Sequence, residues 1–225
     1  MRSVKITFLE RVNEVETYYT FMENFIQGSS NDDLNKILKS NLLLMLYNLV
    51  ESSISNAIAE IHNDIHAHQV SFNALKTELR KILISHLKAN LNPKSFVESI
   101  NDIAIDIIKE CFDKSKISNG NIDGRKIRDI GDDYGFSHHT NYSRTKNGNS
   151  LVIIKGRRND LAHGTFSFTE VGKEYSTSDL QNMKTETINY LSEILDNVEN
   201  YLINQEYRQP VPIPPAASTP ATMVP

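Results

Sequence analysis

Residues 155 to 164 read Lys-Gly-Arg-Arg-Asn-Asp-Leu-Ala-His-Gly. Two adjacent arginines, Arg157 and Arg158, are followed by Asn159, Asp160 and then His163. Those side chains can handle a phosphate. Arginine presents a planar fork that fits two phosphate oxygens at once. Histidine titrates near working pH and can take or give a proton. Cleavage of RNA needs a base for the 2′-hydroxyl, an acid for the leaving 5′-oxygen and positive charge for the crowded phosphorane. An arginine–histidine set supplies all three without a metal.

Spacing says how the set is presented. At roughly 100° per residue, Asn159 and His163 share one helix face, while Arg158 and His163 stand about 140° apart. The long Arg158 side chain can still swing toward the same rim. The bland alternative is a helix end where an arginine pairs with Asp160 or Glu51 and His163 caps the last turn. Spacing alone does not choose between these readings.

The rest of the chain must position this stretch. Val4, Phe8, Val12, Val15, Tyr19, Met22 and Ile26 recur at steps of three and four and predict a first helix over residues 3 to 26. Gly28-Ser29-Ser30-Asn31-Asp32 stops it and offers caps for a second, to about residue 62. The middle of that second helix is the most apolar part of the chain, as a central helix requires. Tyr47, Glu51, Ile54 and Ile58 share a face there. Glu51 is either at the edge of that stripe or half-buried and paired with an arginine from another helix. Helical periods return over residues 71 to 90 and 94 to 112, either side of Asn92-Pro93. These stretches predict an all-α protein.

Residues 113 to 149 are rich in Gly, Asn and Asp and predict a long irregular insert, with one short helix near 123 to 130. Asn149 or Ser150 is placed to cap a motif helix over 150 to 163, with Gly164 as its stop. Leu151 to Ile154 would also suit a strand. The segment after Gly164, with Phe166 and Phe168 alternating, predicts extended chain. A last helix is expected from Asp179 to Gln205. The final stretch carries six of the seven prolines and reads as a disordered tail over 209 to 225.

Other clusters carry less. His62, His66 and His68 have one metal-like spacing but no second ligand set, so no metal is assigned. His138 and His139 read as surface residues without partners. Arg125, Lys126 and Arg128 are locally basic, and DNA binding through residues 121 to 136 is the lowest-ranked reading. The net charge of −4 means any nucleic-acid site is a local patch. One cysteine, Cys111, excludes an internal disulfide and suits a reducing compartment. Early charge at the N-terminus argues against a signal peptide, and no apolar run nears the roughly 20 residues of a membrane span. A cytoplasmic location without a membrane is expected.

The segment Arg158-Asn159-Asp160-Leu161-Ala162-His163 resembles the Arg-x4–6-His motif of the HEPN superfamily, including the polar residue after the arginine. Its company is more specific. Tyr47-Asn48-Leu49-Val50-Glu51-Ser52-Ser53, the stretch from Gly120 to Phe136, and Leu161 to Gly164 followed by residues 167 to 175 are similar to the MAE-like HEPN branch. The likeness spans residues 5 to 207. It implies a HEPN-type helical bundle over residues 1 to 208 that forms a homodimer, with the two motifs meeting at the interface. It also implies a metal-independent endoribonuclease without a cofactor, acting as a toxin or phage-defence effector with a possible antitoxin or defence-system partner protein. By that resemblance Arg158 and His163 are catalytic, Asn159 orients them and Glu51 supports them from the facing helix. Lys155 and Arg157 are expected to hold the RNA backbone. Some members only bind a nucleotide or a partner protein, which is the alternative.

Overall fold

The computed structural model describes residues 1–90 and 120–210. The helix expected over 94 to 112, Cys111 and nearly all of the proline tail lie outside the described residues. Among the described residues there is no strand, only an isolated bridge between Leu75 and Arg208. The elements in order are α1 (Arg2–Gly28), α2 (Asp32–Ala67), a 3-10 turn (Phe72–Ala74), α3 (Thr77–Asn90), α4 (Gly124–Tyr134), α5 (Tyr142–Thr145), a second 3-10 turn (Lys146–Gly148), α6 (Asn149–Ala162), α7 (Phe168–Gly172) and α8 (Thr177–Ile203).

The most apolar segment became the centre. Leu42, Leu43, Leu46, Leu49, Ile54, Ile58 and Ile61 of α2 are all at most 2% exposed. Around α2 pack α1, α6, α7 and α8. Its N-terminus is fixed by Asn31, whose side chain accepts from the Leu34 N–H at 3.0 Å. By length and hydropathy α2 could cross a membrane, which corrects the expectation that no segment qualifies; yet 61% of its apolar window is buried inside the protein. It runs unbroken past residue 62 to Ala67, because Ile61 and Ile65 continue the core stripe. The partners are amphipathic on one side only. Val4, Phe8, Val15, Tyr19 and Met22 of α1 turn inward, as do Leu180, Tyr190, Leu191, Ile194, Val198 and Tyr201 of α8.

Several local expectations change. Residues 168 to 172 are helical, not extended. Ser167 and Glu170 form a capping box, and Ser176 and Asp179 form a second one that starts α8. Phe166 and Phe168, whose alternation suggested a strand, are both exposed. Gly172 is what lets α7 dock: a Cβ there would lie 1.9 Å from the Lys36 carbonyl oxygen. Ser150 does not cap α6; its hydroxyl donates to Glu186 at 2.6 Å, and the N-cap position belongs to Gly148. The histidines near the end of α2 diverge. His62 is buried with Nε2 2.9 Å from the Tyr134 hydroxyl, whereas His68 is exposed and bonds back to the Asp64 carbonyl.

Candidate active site

α6 carries the arginine–histidine stretch, and its register decides where each group points. Leu151 and Ile154 are buried, and Leu161 packs partly into the same core. In an ideal helix Arg158 falls within that apolar arc, roughly 20° from Leu151 and 40° from Ile154. Arg158 is therefore carried onto α2. Its guanidinium carbon lies 4.0 Å from the centroid of the Tyr47 ring, a cation–π contact. Nε and Nη2 of Arg158 are buried without a hydrogen-bond partner.

Four consecutive residues of the insert, 120–123, close over this contact. Gly120 has φ +67°, and a Cβ there would sit 2.9 Å from Arg158 Nη2, so any larger residue must push the guanidinium. Asn121 Oδ1 accepts from Asn159 Nδ2 at 3.3 Å. The Ile122 N–H donates to the Tyr47 hydroxyl at 3.4 Å. Asp123 forms an ion pair with Lys155 and caps α4 by accepting from the Arg125 and Lys126 N–H groups, both at 3.0 Å. Residues 120–123 thus form a strap fastened to the motif helix at Lys155, Arg158 and Asn159, and to α2 at Tyr47.

The electrostatics follow from this packing. Burial raises the Tyr47 pKa, and Glu51 one turn away raises it further; the Ile122 N–H and the Arg158 charge pull against them. Burial alone would raise the Asp123 pKa too. The Lys155 ammonium and the two capping N–H groups outweigh it and hold that carboxyl below its ordinary range. Glu51 is half-buried on α2 and acts electrostatically on Tyr47.

Arg157 points elsewhere. Its Nε donates to the Tyr175 hydroxyl at 2.8 Å, Nη1 to Asp160 at 3.1 Å, and Nη2 to Glu174. Both cations expected to hold an RNA backbone, Lys155 and Arg157, are therefore paired with carboxylates of the same chain. A phosphate would have to displace those carboxylates to bind them. His163 is exposed and ends the helix. Gly164, at φ +67°, donates to the Leu161 carbonyl at 3.3 Å, and the Thr165 N–H reaches Asp160 at 2.9 Å. This Schellman arrangement satisfies the last carbonyls and leaves the imidazole in solvent.

Arg158 and His163 thus leave α6 in different directions, one into the strap and one out at the helix end. The structure brings Arg158, Tyr47, Glu51 and Asn159 into one neighbourhood, while His163 is exposed at the end of α6. Tyr47, Gly120, Asn121 and Asp123 are the participants that sequence reasoning did not single out. Asp123 carried a legible signal, an aspartate directly before a basic helix. The role of Tyr47 depends on a contact between residues 111 positions apart, which no local pattern reveals.

A family model for the MAE-like HEPN proteins matches residues 3–207. The chain belongs to the HEPN family. Membership points to a nuclease or RNA-binding type of function. No curated protein and no solved structure matches this HEPN chain.

Proposed function

We propose that this HEPN protein is an endoribonuclease that cleaves RNA by attack of the 2′-hydroxyl on the adjacent phosphate, without requiring a metal. One observation carries the reading. The motif helix holds an arginine with two desolvated, unpartnered nitrogens and, five residues on, an exposed histidine. Two desolvated N–H groups without acceptors are costly in a resting protein. An incoming phosphate oxygen would supply the missing acceptor.

In this reading His163 moves the proton as base or acid, and Arg158 stabilises the phosphorane. Asn159 orients the pair, and Glu51 acts on the cluster through Tyr47. Lys155 and Arg157 meet the RNA backbone by exchanging their carboxylates for phosphates. Because Arg158 and His163 diverge on one chain, a homodimer that brings His163 of one copy toward the other copy's motif would complete the site. A toxin or phage-defence role, with an antitoxin or defence partner and a cytoplasmic location, fits such an activity.

The test is RNA cleavage in EDTA by wild type, Arg158→Ala and His163→Ala. Wild type should cut and both variants should lose at least about a hundredfold in rate, the scale of a lost general acid–base group or oxyanion donor. Equal cutting by all three, or cutting by none, removes the proposal. The strapped position of Arg158 favours one second reading, a HEPN dimer that recognises a nucleotide or partner without turnover. Ligand-induced stabilisation with no cleavage would select it.

A further inference from the structure

A separate pocket of about 140 Å³ opens between α4, the loop at 138–140, the 3-10 turn before α6, and α8. Six residues line it: Arg128, His138, His139, Thr140, Asn147 and Tyr190. None of the six is acidic, and every one can donate a hydrogen bond from its side chain. Arg128 gives one N–H to the Asn147 carbonyl at 3.0 Å; a guanidinium has five. His138 is held by Asp132 at 3.1 Å, and its ring lies 5.1 Å from that of His139. The Asn197 amide, donating to the His139 carbonyl at 2.9 Å, fixes that part of the loop to α8. His138, half-buried and paired with Asp132, departs from the unpartnered surface residue expected, while His139 is exposed as expected.

The floor supplies a second, independent observation. Tyr190 is 1% exposed, and its hydroxyl is buried with no hydrogen-bond partner. Burial pushes its pKa up to about 12, against the pull of Arg128. This buried hydroxyl and the Arg128 guanidinium that acts on it line the same pocket. The N-cap of α6 also lies at this edge. Asn147 lines the pocket, and Gly148 gives the first amides of the helix no side-chain cap.

We propose that this pocket binds a single phosphoryl group. Its lining offers a permanent cation, two imidazoles and a buried hydroxyl; the carboxylates that act on it, Asp132 on His138 and Asp123 on Tyr190, stand outside the lining. Its volume admits a phosphate with a water or two and is too small for a nucleoside as well. The site lies at the opposite end of α6 from His163, roughly 20 Å away along a 14-residue helix. It stands whether or not the arginine–histidine stretch cleaves RNA.

The experiment titrates the full chain with inorganic phosphate, using calorimetry and thermal melting against sodium chloride of matched ionic strength. Wild type should bind and melt higher in phosphate. Arg128→Gln should weaken binding roughly tenfold or more, as loss of a charge-assisted contact does. Tyr190→Phe removes one buried hydroxyl and keeps the ring in the core, so it should fold normally and bind several-fold more weakly. Arg158→Ala and His163→Ala should keep the part of the phosphate response that Arg128→Gln removes. A second arm compares a short RNA bearing a 5′-phosphate with the same RNA bearing a 5′-hydroxyl. A preference for the phosphorylated end that Arg128→Gln erases supports the site and identifies its source as an RNA terminus. Equal binding of the two RNAs, with phosphate binding retained, supports a small phosphorylated ligand. The proposal is overturned if phosphate acts no differently from chloride. It is also overturned if Arg128→Gln and Tyr190→Phe bind it as wild type does, or if Arg158→Ala abolishes the response.

Discussion

Replacing Arg158 by methionine separates a functional arginine from a structural one. Methionine keeps an unbranched apolar stem against Tyr47 and loses the guanidinium. Two contributions oppose each other. The guanidinium lies 4.0 Å from the Tyr47 centroid, and a desolvated cation–π contact contributes about 1–2 kcal/mol. Against it stand two buried nitrogens with no partner, Nε and Nη2, each costing about 1–3 kcal/mol while unpaired. Buried charges exchanged for well-packed apolar groups commonly leave a protein neutral or more stable by about 1–4 kcal/mol. The expectation for Arg158→Met is a gain of about 1–2 kcal/mol, or a melting temperature raised by about 2–8 °C. Urea denaturation at matched protein concentration measures the stability, and RNA cleavage in EDTA measures the function. Higher stability with lost cleavage would mean that the arginine is kept at a cost to the fold. A loss of more than about 2 kcal/mol would refute the reasoning, because Arg158 would then hold the strap and α2 together.

Three further outcomes follow from particular contacts. Gly172→Ala places a Cβ 1.9 Å from the Lys36 carbonyl oxygen; backbone must move, and the loss should be about 3 kcal/mol or more by denaturant melt. Gly164→Ala meets nothing within 4 Å but keeps φ +67°, so it should cost only about 1–2 kcal/mol, the left-handed penalty alone. A larger loss at 164 than at 172 would contradict both assignments. Asp123→Asn keeps an oxygen for the α4 cap but loses the Lys155 ion pair. The Asp123 pKa is lowered in the folded protein, so its contribution is complete above the ordinary carboxylate pKa and fades as pH falls through the folded value. Wild type should therefore be the more stable near pH 7, and its advantage over Asp123→Asn should shrink steadily below about pH 4. An advantage independent of pH would remove the ion pair from the account.

The strap explains why part of the candidate site escaped a reading of the sequence. Glu51 was visible because Tyr47, Glu51, Ile54 and Ile58 share a helical face. Asp123 entered only as the start of the short helix near 123 to 130. What no pattern showed is that Gly120 to Asp123 would lie across Lys155, Arg158 and Asn159, since those contacts join segments 32 to 38 positions apart. The two capping boxes are a different matter. Ser167 with Glu170, and Ser176 with Asp179, are local signals. The alternation of Phe166 and Phe168 outweighed the first of them, although two residues are too few to establish a strand period.

The sequence by itself determined the long helices among the described residues and the family. Apolar residues at steps of three and four can bury one face only as a helix, and that information is local. It also determined the ends of the motif helix closely, through Gly164, because a left-handed residue there satisfies the last carbonyls at little cost. Tertiary structure decided which cation goes where. Arg157 and Arg158 are adjacent and chemically identical, yet one makes ion pairs with Asp160 and Glu174 while the other lies on Tyr47. The register of α6 against α2 makes that choice, set by Leu151 and Ile154 in the core. Long-range packing gives each side chain its surroundings, and those surroundings decide whether a charge is solvated, paired with carboxylates or stacked on an aromatic ring.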